Sequence, residues 1–359
     1  MKELTKQELT ELLGEYGIEE SITYEMIDSS HGEDDLRLNY IINQKYVLRI
    51  NSAAVMSDER LRELNSLIAR YNKFGLKAPY FIADEKGHFL HKNHENYVYL
   101  SEYLDGTIAD DVKEDCFEAL VEERLRLVAR YAQMHKNVDL IQTRSMYSLF
   151  DLSPYDLSYG IDEKQDNLNE LVATLKEIGE NELAEQFIIE NETIRKELLA
   201  VYKTLPCCVF QGDENFSNVC VDEDQHIIGI FDFNMSGTDV NANYLANLAF
   251  QGRFFYSENT FDEMNAEELY DKVLDSFRQA TKLIEHHYLF TEVERKAYYL
   301  YAKIVLISGY VNVNAFQYYL ERLEYRTEAI SLLRKFAKLR LCGNTLWEIH
   351  DDSFKRNNK

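Results

Sequence analysis

Near residue 104 the hydrophobic pattern of this chain changes from the two-residue alternation of strands to the period of about 3.6 that marks helices, so one chain has to build two different architectures. Before that point Leu9, Leu12, Leu13 and Tyr16 describe a short helix ending at Gly17. Alternating runs follow at Ile22 to Ile27, at Leu36 to Ile42 and, after the turn Asn43-Gln44-Lys45, at Tyr46 to Ile50, which predicts an antiparallel meander. Leu61, Leu64, Leu67, Ile68 and Tyr71 then recur at helical spacing as far as Gly75 and Pro79. Further strand-like runs at Tyr80 to Ala83, Phe89 to His91 and Tyr97 to Tyr103 complete a small sheet with one intervening helix.

Beyond Leu104-Asp105-Gly106 helical spacing prevails, over about 111–137, in two segments within 163–204, and over 266–287, 292–321 and 324–340. One strong strand pair interrupts it, Asn218 to Val221 and Ile227 to Phe231, joined by the acidic turn Asp222-Glu223-Asp224-Gln225. The expected class is α+β, with residues 1–103 as a small antiparallel-sheet lobe and residues 104–359 as a larger, mostly helical lobe. With 14 Gly and 3 Pro against 45% hydrophobic residues, collagenous and disordered classes are excluded.

A net charge of −24 repels phosphate backbones and anionic lipid, so neither nucleic acid nor membrane is an expected partner, whereas a cationic small molecule would be attracted. The opening residues are charged and helix-periodic, and no stretch approaches the roughly 18 apolar residues of a membrane span. The expectation is a cytoplasmic protein. Five scattered cysteines lacking any C-x-x-C spacing fit reduced thiols. None of these features sets an oligomeric state.

The segment that carries chemistry is Gln211-Gly212-Asp213-Glu214-Asn215-Phe216-Ser217-Asn218, followed by the apolar run Ile228-Gly229-Ile230-Phe231 closing on Asp232. Phosphoryl transfer needs a carboxylate to receive the acceptor's hydroxyl proton, and oxygen ligands that hold Mg²⁺ against the phosphates. Asp213, Asn218 and Asp232 meet those needs in type and order. A carboxylate closing a buried strand is costly to desolvate unless it is paired or metal-bound, which independently favours Asp232 as a ligand. No G-x-S-x-G, Walker A or G-x-G-x-x-G pattern occurs, which argues against a serine hydrolase, a P-loop NTPase or a dinucleotide oxidoreductase.

This segment resembles the H-G-D-x-x-x-x-N motif and following apolar run ending in Asp of the aminoglycoside phosphotransferase and choline kinase-like family, relatives of the protein kinases. The resemblance runs from about residue 20 to 340. It implies a bilobal, protein-kinase-like fold with Asp213 as catalytic base and Asn218 and Asp232 as Mg²⁺ ligands. It implies Arg49, the lone cation in Tyr46-Val47-Leu48-Arg49-Ile50, as the phosphate-binding residue where many members have Lys, and Glu63 as its helix partner, with Glu59 the competitor. The loop Ser29-Ser30-His31-Gly32-Glu33-Asp34-Asp35 takes the phosphate-covering place, where backbone N–H groups of Ser29, Ser30 and Gly32 would meet the phosphates. Glu102 and Tyr103 mark the adenine-binding hinge.

Gln211 stands where the family commonly has His, and the covering loop is acidic rather than glycine-rich. His135 reads as scaffold. The aromatic and acidic stretch from Phe250 to Tyr256, with Glu258, Asp262, Glu263, Glu267 and Glu268, is the place for an amine-bearing acceptor, although acids also suit a helix start. The expected activity is transfer of the γ-phosphate of ATP or GTP, with Mg²⁺, to a hydroxyl of a small molecule such as an aminoglycoside, amino alcohol or sugar. The alternative is a kinase-like nucleotide-binding module with weak or absent catalysis.

Overall fold

The structure is a computed structural model that describes residues 4–30, 35–52, 56–111, 116–251 and 259–339. In chain order the elements are α1 (Lys6–Glu15), β1 (Tyr24–Asp28), β2 (Arg37–Ile42), β3 (Tyr46–Asn51), α2 (Asp58–Phe74), β4 (Phe81–Ile82), β5 (Leu90–Asn93), β6 (Asn96–Glu102) and β7 (Thr107–Ile108). Then come α3 (Phe117–Met134), α4 (Glu163–Glu177), α5 (Asn181–Leu199), β8 (Cys207–Phe210), β9 (Val219–Val221), β10 (Ile227–Ile230) and β11 (Gly237–Val240). The chain continues through α6 (Asn241–Gln251), α7 (Thr260–Glu263), α8 (Ala266–His287), α9 (Glu292–Ser308), α10 (Tyr310–Glu321) and α11 (Leu323–Lys338). This is the expected α+β class, an antiparallel sheet region followed by a larger helical region.

Two compact units arise. One comprises residues 1–116 together with 213–234, the other 117–212 and 235–359. In the first, antiparallel strands run in the order β1-β2-β3-β6-β4, with β5 also on β6. Alternation buries one face of β2, so Leu38, Tyr40 and Ile42 meet Leu48, Ile50, Val98 and Leu100, and α1 adds Leu9 and Leu13. Side-chain capping of Ser57 starts α2, and left-handed Gly75 (φ 104°) ends it. The hairpin β9–β10, foreseen from sequence, belongs to this unit and gains a third strand, β7.

The second unit is helical apart from β8 paired with β11, a pair that the sequence reading lacked. One long helix expected over 292–321 is two, because the chain turns to extended backbone at Gly309. A Cβ there would lie 2.6 Å from the Val305 carbonyl oxygen, so only glycine allows this close approach.

Where β11 meets α6, Asp239 is fully enclosed and accepts from Ser145 Oγ at 2.7 Å, Asn243 Nδ2 at 3.0 Å and its neighbour Val240 N–H at 2.7 Å. Burial pushes its carboxyl up to about 6, and burial also pushes the nearby Lys164 ammonium down. A raised carboxyl pKa contributes stability that is present below the unfolded value near 4 and is lost as pH rises through about 6. The stability advantage of wild type over Asp239→Asn is therefore expected to shrink by roughly 2–3 kcal/mol between pH 4 and 7, as urea unfolding at stepped pH would show.

Candidate active site

The chain enters the candidate site through Gly212, whose φ of 96° is left-handed and whose added Cβ would stand 2.2 Å from the Met235 carbonyl oxygen. Gln211 before it is fully buried, and its carbonyl oxygen accepts from Ser236 Oγ at 2.9 Å. The following residues, Phe216–Asn218, form one 3-10 turn that hands the backbone to β9. This short connection turns Asn218 back toward Asp213.

Both carboxylate oxygens of Asp213 are held by amides. Asn215 Nδ2 donates to Oδ1 at 2.8 Å, and Asn218 Nδ2 donates to Oδ2 at 2.9 Å and to the Asp213 carbonyl oxygen at 2.9 Å. Ser217 Oγ donates to Asn215 Oδ1 at 2.5 Å and so orients that amide. Because the Asn218 nitrogen is spent on Asp213, its Oδ1 is the atom left to accept or to ligate.

Burial first, and then the charge of Asp232, raise the Asp213 carboxyl above the ordinary range, against the lowering effect of the two amides. Asp232 closes β10 in a left-handed conformation (φ 56°) that non-glycine residues seldom adopt, and its Oδ1 accepts the Asn234 N–H at 3.4 Å. Phe233 beside it is buried edge-on against Tyr71 of α2, with ring centroids 5.4 Å apart, which anchors this strained turn.

Arg49 on β3 donates through Nη1 to Ser101 Oγ at 2.7 Å, and its guanidinium carbon lies 6.0 Å from the Tyr99 ring centroid. The Tyr99 hydroxyl accepts from Asn51 Nδ2 at 3.1 Å and also hydrogen-bonds Asn234. Tyr99 therefore joins the Arg49 strand to the Asp232-Phe233-Asn234 turn. Sequence reasoning missed Asn215, Ser101 and Tyr99. Only Asn215 lay within the quoted motif, and neither strand residue had any distinguishing spacing.

Other expected positions differ. Glu63 does not reach Arg49; it pairs with Arg60 one turn earlier on α2, at 2.6 Å, and this is a correction to the predicted ion pair. Glu59 is exposed. Ser29 N–H donates to the Arg37 carbonyl at 2.9 Å and closes the β1–β2 hairpin, and Ser30 N–H donates to Asp28 Oδ1 at 3.0 Å in a local turn at the end of β1, so both donors are engaged within the protein. Gly32 lies outside the described residues. At the hinge, Glu102 N–H donates to Tyr80 O at 2.9 Å and Tyr103 N–H to Lys45 O at 2.7 Å. Both donors are engaged within the protein, and the Glu102 carbonyl oxygen accepts from Ser101 Oγ at 3.1 Å.

In the expected acceptor stretch, residues 252–258 lie outside the described residues. Asp262 accepts from Tyr325 Oη at 2.9 Å, Glu267 pairs with Lys335, and Glu268 completes the Asn265 capping box that starts α8. These three acids have structural employment.

Among the described residues no three His, Cys, Asp or Glu side chains gather as a metal cluster. Mg²⁺ does not require one, since it retains waters and takes one or two carboxylates together with phosphate oxygens. The hard oxygen donors of Asp232 and Asn218, together with the Asp213 carboxylate whose pKa burial and then the Asp232 charge raise, fit such an ion.

A sequence model described as the phosphotransferase enzyme family matches residues 31–266, more than half of the chain, a span that includes Arg49, Asp213, Asn218 and Asp232. The chain belongs to that family. No curated protein matches it. Among solved structures, it is similar to spectinomycin phosphotransferase APH(9)-Ia in complex with ADP and spectinomycin, at 12% identity and TM-score 0.49, with 93% of this chain and 95% of that one covered. It is similar to an aminoglycoside phosphotransferase from Alicyclobacillus acidocaldarius at 12% identity and TM-score 0.49, with 94% and 98% covered. A third is APH(2'')-IIa with streptomycin and ATP, at 14% identity and TM-score 0.44, with 93% and 97% covered. For a phosphotransferase family member, the Asp213–Asn218 pair is the feature of this structure on which chemistry can be built. No helix among the described residues is long and apolar enough to cross a membrane.

Proposed function

We propose that this phosphotransferase family member is a small-molecule kinase that moves the γ-phosphate of ATP or GTP to a hydroxyl of an aminoglycoside, amino alcohol or sugar. The observation that carries the reading is the Asp213 carboxylate, fixed by two amides and raised in basicity by burial and by Asp232. Residues 1–103 would serve the nucleotide, and 104–359 the catalytic loop and acceptor. A cationic acceptor would be favoured by the net charge of −24.

In this reading Asp213 accepts the acceptor's hydroxyl proton as the oxygen attacks the γ-phosphorus, and the nucleoside diphosphate departs. Asn215 and Asn218 keep the carboxylate in one orientation, so no reorganisation is needed during transfer. Asp232 and Asn218 Oδ1 would hold Mg²⁺, which when bound neutralises phosphate oxygens. Ser101 positions the Arg49 guanidinium, whose fork geometry suits phosphate oxygens. Arg49→Ala is expected to weaken nucleotide binding by about 10- to 100-fold, the worth of a charged hydrogen-bonding contact, measurable by calorimetric titration.

Nucleotide binding without transfer is a second reading, favoured by the Glu63–Arg60 pair, which leaves Arg49 without its expected carboxylate. Transfer of labelled γ-phosphate from ATP and GTP across a panel of aminoglycosides, amino alcohols and sugars separates the two. Labelled product supports the kinase; nucleotide-dependent thermal stabilisation with no product on any panel member supports the binding module.

A further inference from the structure

Alternation along β3 and β6 sends Leu48, Ile50, Val98 and Leu100 into the core that α1 covers, and it sends Arg49, Asn51, Tyr99 and Ser101 to the opposite face. Arg49 and Tyr99 are direct cross-strand partners, so the guanidinium carbon lies 6.0 Å from the ring centroid, and Phe81 of β4 flanks the same ring at 5.9 Å. Tyr99 is only 1% exposed, and its hydroxyl has to find partners inside the protein. It finds two amides. The oxygen accepts from Asn51 Nδ2 at 3.1 Å and is hydrogen-bonded to the side chain of Asn234.

Asn234 in turn donates its backbone N–H to Asp232 Oδ1 at 3.4 Å, so one residue separates the Tyr99 hydroxyl from the Asp232 carboxylate. Asp232 needs such support. A non-glycine residue at a φ of 56° persists only where its surroundings over-determine it. Packing of Phe233 against Tyr71 fixes one side of the turn, and the Asn234 side chain on Tyr99 fixes the other. The first contact is apolar and sets where the backbone lies. The second is directional, and it bears on the residue whose N–H meets the carboxylate.

We propose that Tyr99 is a positioning residue of the metal site, whose hydroxyl acts through Asn234 to hold Asp232 in the orientation that receives a divalent ion. The inference rests on the reading of Asp232 as a Mg²⁺ ligand and adds to it a residue of β6 that acts only through its neighbour. The same ring lies against Arg49, so one side chain serves both the cation and the carboxylate expected to meet the phosphates.

Tyr99→Phe discriminates, because it keeps the ring against Arg49 and Phe81 and deletes only the hydroxyl. In calorimetric titration of ATP into the full-length protein, this variant should match wild type without Mg²⁺. The tightening that Mg²⁺ brings should be smaller by about 3- to 10-fold, the worth of one hydrogen bond. Asn234→Ala cuts the same link from its other end and should give the same loss, and the double variant should lose no more than either single one. In ligand-free protein, deuterium uptake by the peptide covering residues 231–235 should rise in both variants. Tyr24→Phe, which deletes an exposed phenol on β1, should leave every reading as in wild type. A merely structural tyrosine would lower the melting temperature and leave the Mg²⁺ effect intact. Tyr99→Phe with the full Mg²⁺ effect, beside an Asp232→Asn protein that has lost it, would overturn this proposal alone; so would unchanged deuterium uptake or additive losses in the double variant. A wild type indifferent to Mg²⁺ would remove the Asp232 reading and this proposal with it.

Discussion

Replacing Asp213 with Asn is expected to lower phosphoryl transfer by about 10²- to 10⁴-fold, the usual worth of a positioned general base, while nucleotide binding changes little. The substitution is nearly isosteric, and the change falls on basicity. Asn215 Nδ2 and Asn218 Nδ2 now donate to the two carboxylate oxygens; one of them would face an amide nitrogen instead and lose its acceptor. A modest loss of stability should therefore accompany the loss of turnover. Burial and Asp232 hold the Asp213 carboxyl high, so removing its negative charge also relieves repulsion, and the net change in melting temperature should be small. Steady-state transfer kinetics beside a thermal titration with nucleotide check both halves. Near wild-type turnover would remove Asp213 from the base role.

The second large effect concerns folding rather than chemistry. Gly212→Val places a branched side chain at a φ of 96°, with its Cβ 2.2 Å from the Met235 carbonyl oxygen and 2.7 Å from the carbonyl carbon. Backbone atoms cannot swing aside as a flexible side chain would. Left-handed strain costs about 1–3 kcal/mol, and forced overpacking adds about as much again, a large share of a typical domain's stability of about 5–15 kcal/mol. The expected outcome is a melting temperature lower by on the order of 10 °C, or insoluble protein. Gly14→Ala is the matched control, since nothing lies within 4 Å of an added Cβ there and the residue is inside α1. Equal stability of the two variants would show that the Gly212 contact is not a constraint.

Much of this architecture was legible because one-sided burial writes itself into sequence. Leu38, Tyr40 and Ile42 alternate because only one face of β2 meets the core. The proximity of Asp213 and Asn218 was legible because a five-residue spacing across one tight turn brings their side chains together. Pairings that depend on tertiary contacts were not. Cys207–Phe210 and Gly237–Val240 are four-residue strands, too short for periodicity to identify, and they form only because the chain between them returns. Gly309 interrupts a continuous helical pattern through contact with a single carbonyl.

The Glu63 error has a local cause. Arg60 and Glu63 stand at i and i+3 on one helix, a spacing at which opposite charges meet with no tertiary help, and the nearer partner prevailed. The Ser29 N–H is taken by the hairpin across to Arg37 and the Ser30 N–H by a local turn onto Asp28, demands that a backbone accounting of the loop makes.

The central claim is that Asp232 and Asn218 present oxygen to a divalent ion that nucleotide shares. Isothermal titration of ATP into wild type and Asp232→Asn, each with and without Mg²⁺, tests it most directly. In wild type, Mg²⁺ should tighten binding by a factor of ten or more, about 1.4 kcal/mol; in Asp232→Asn the two titrations should coincide. An Asp232→Asn protein that kept the full Mg²⁺ enhancement would contradict the account.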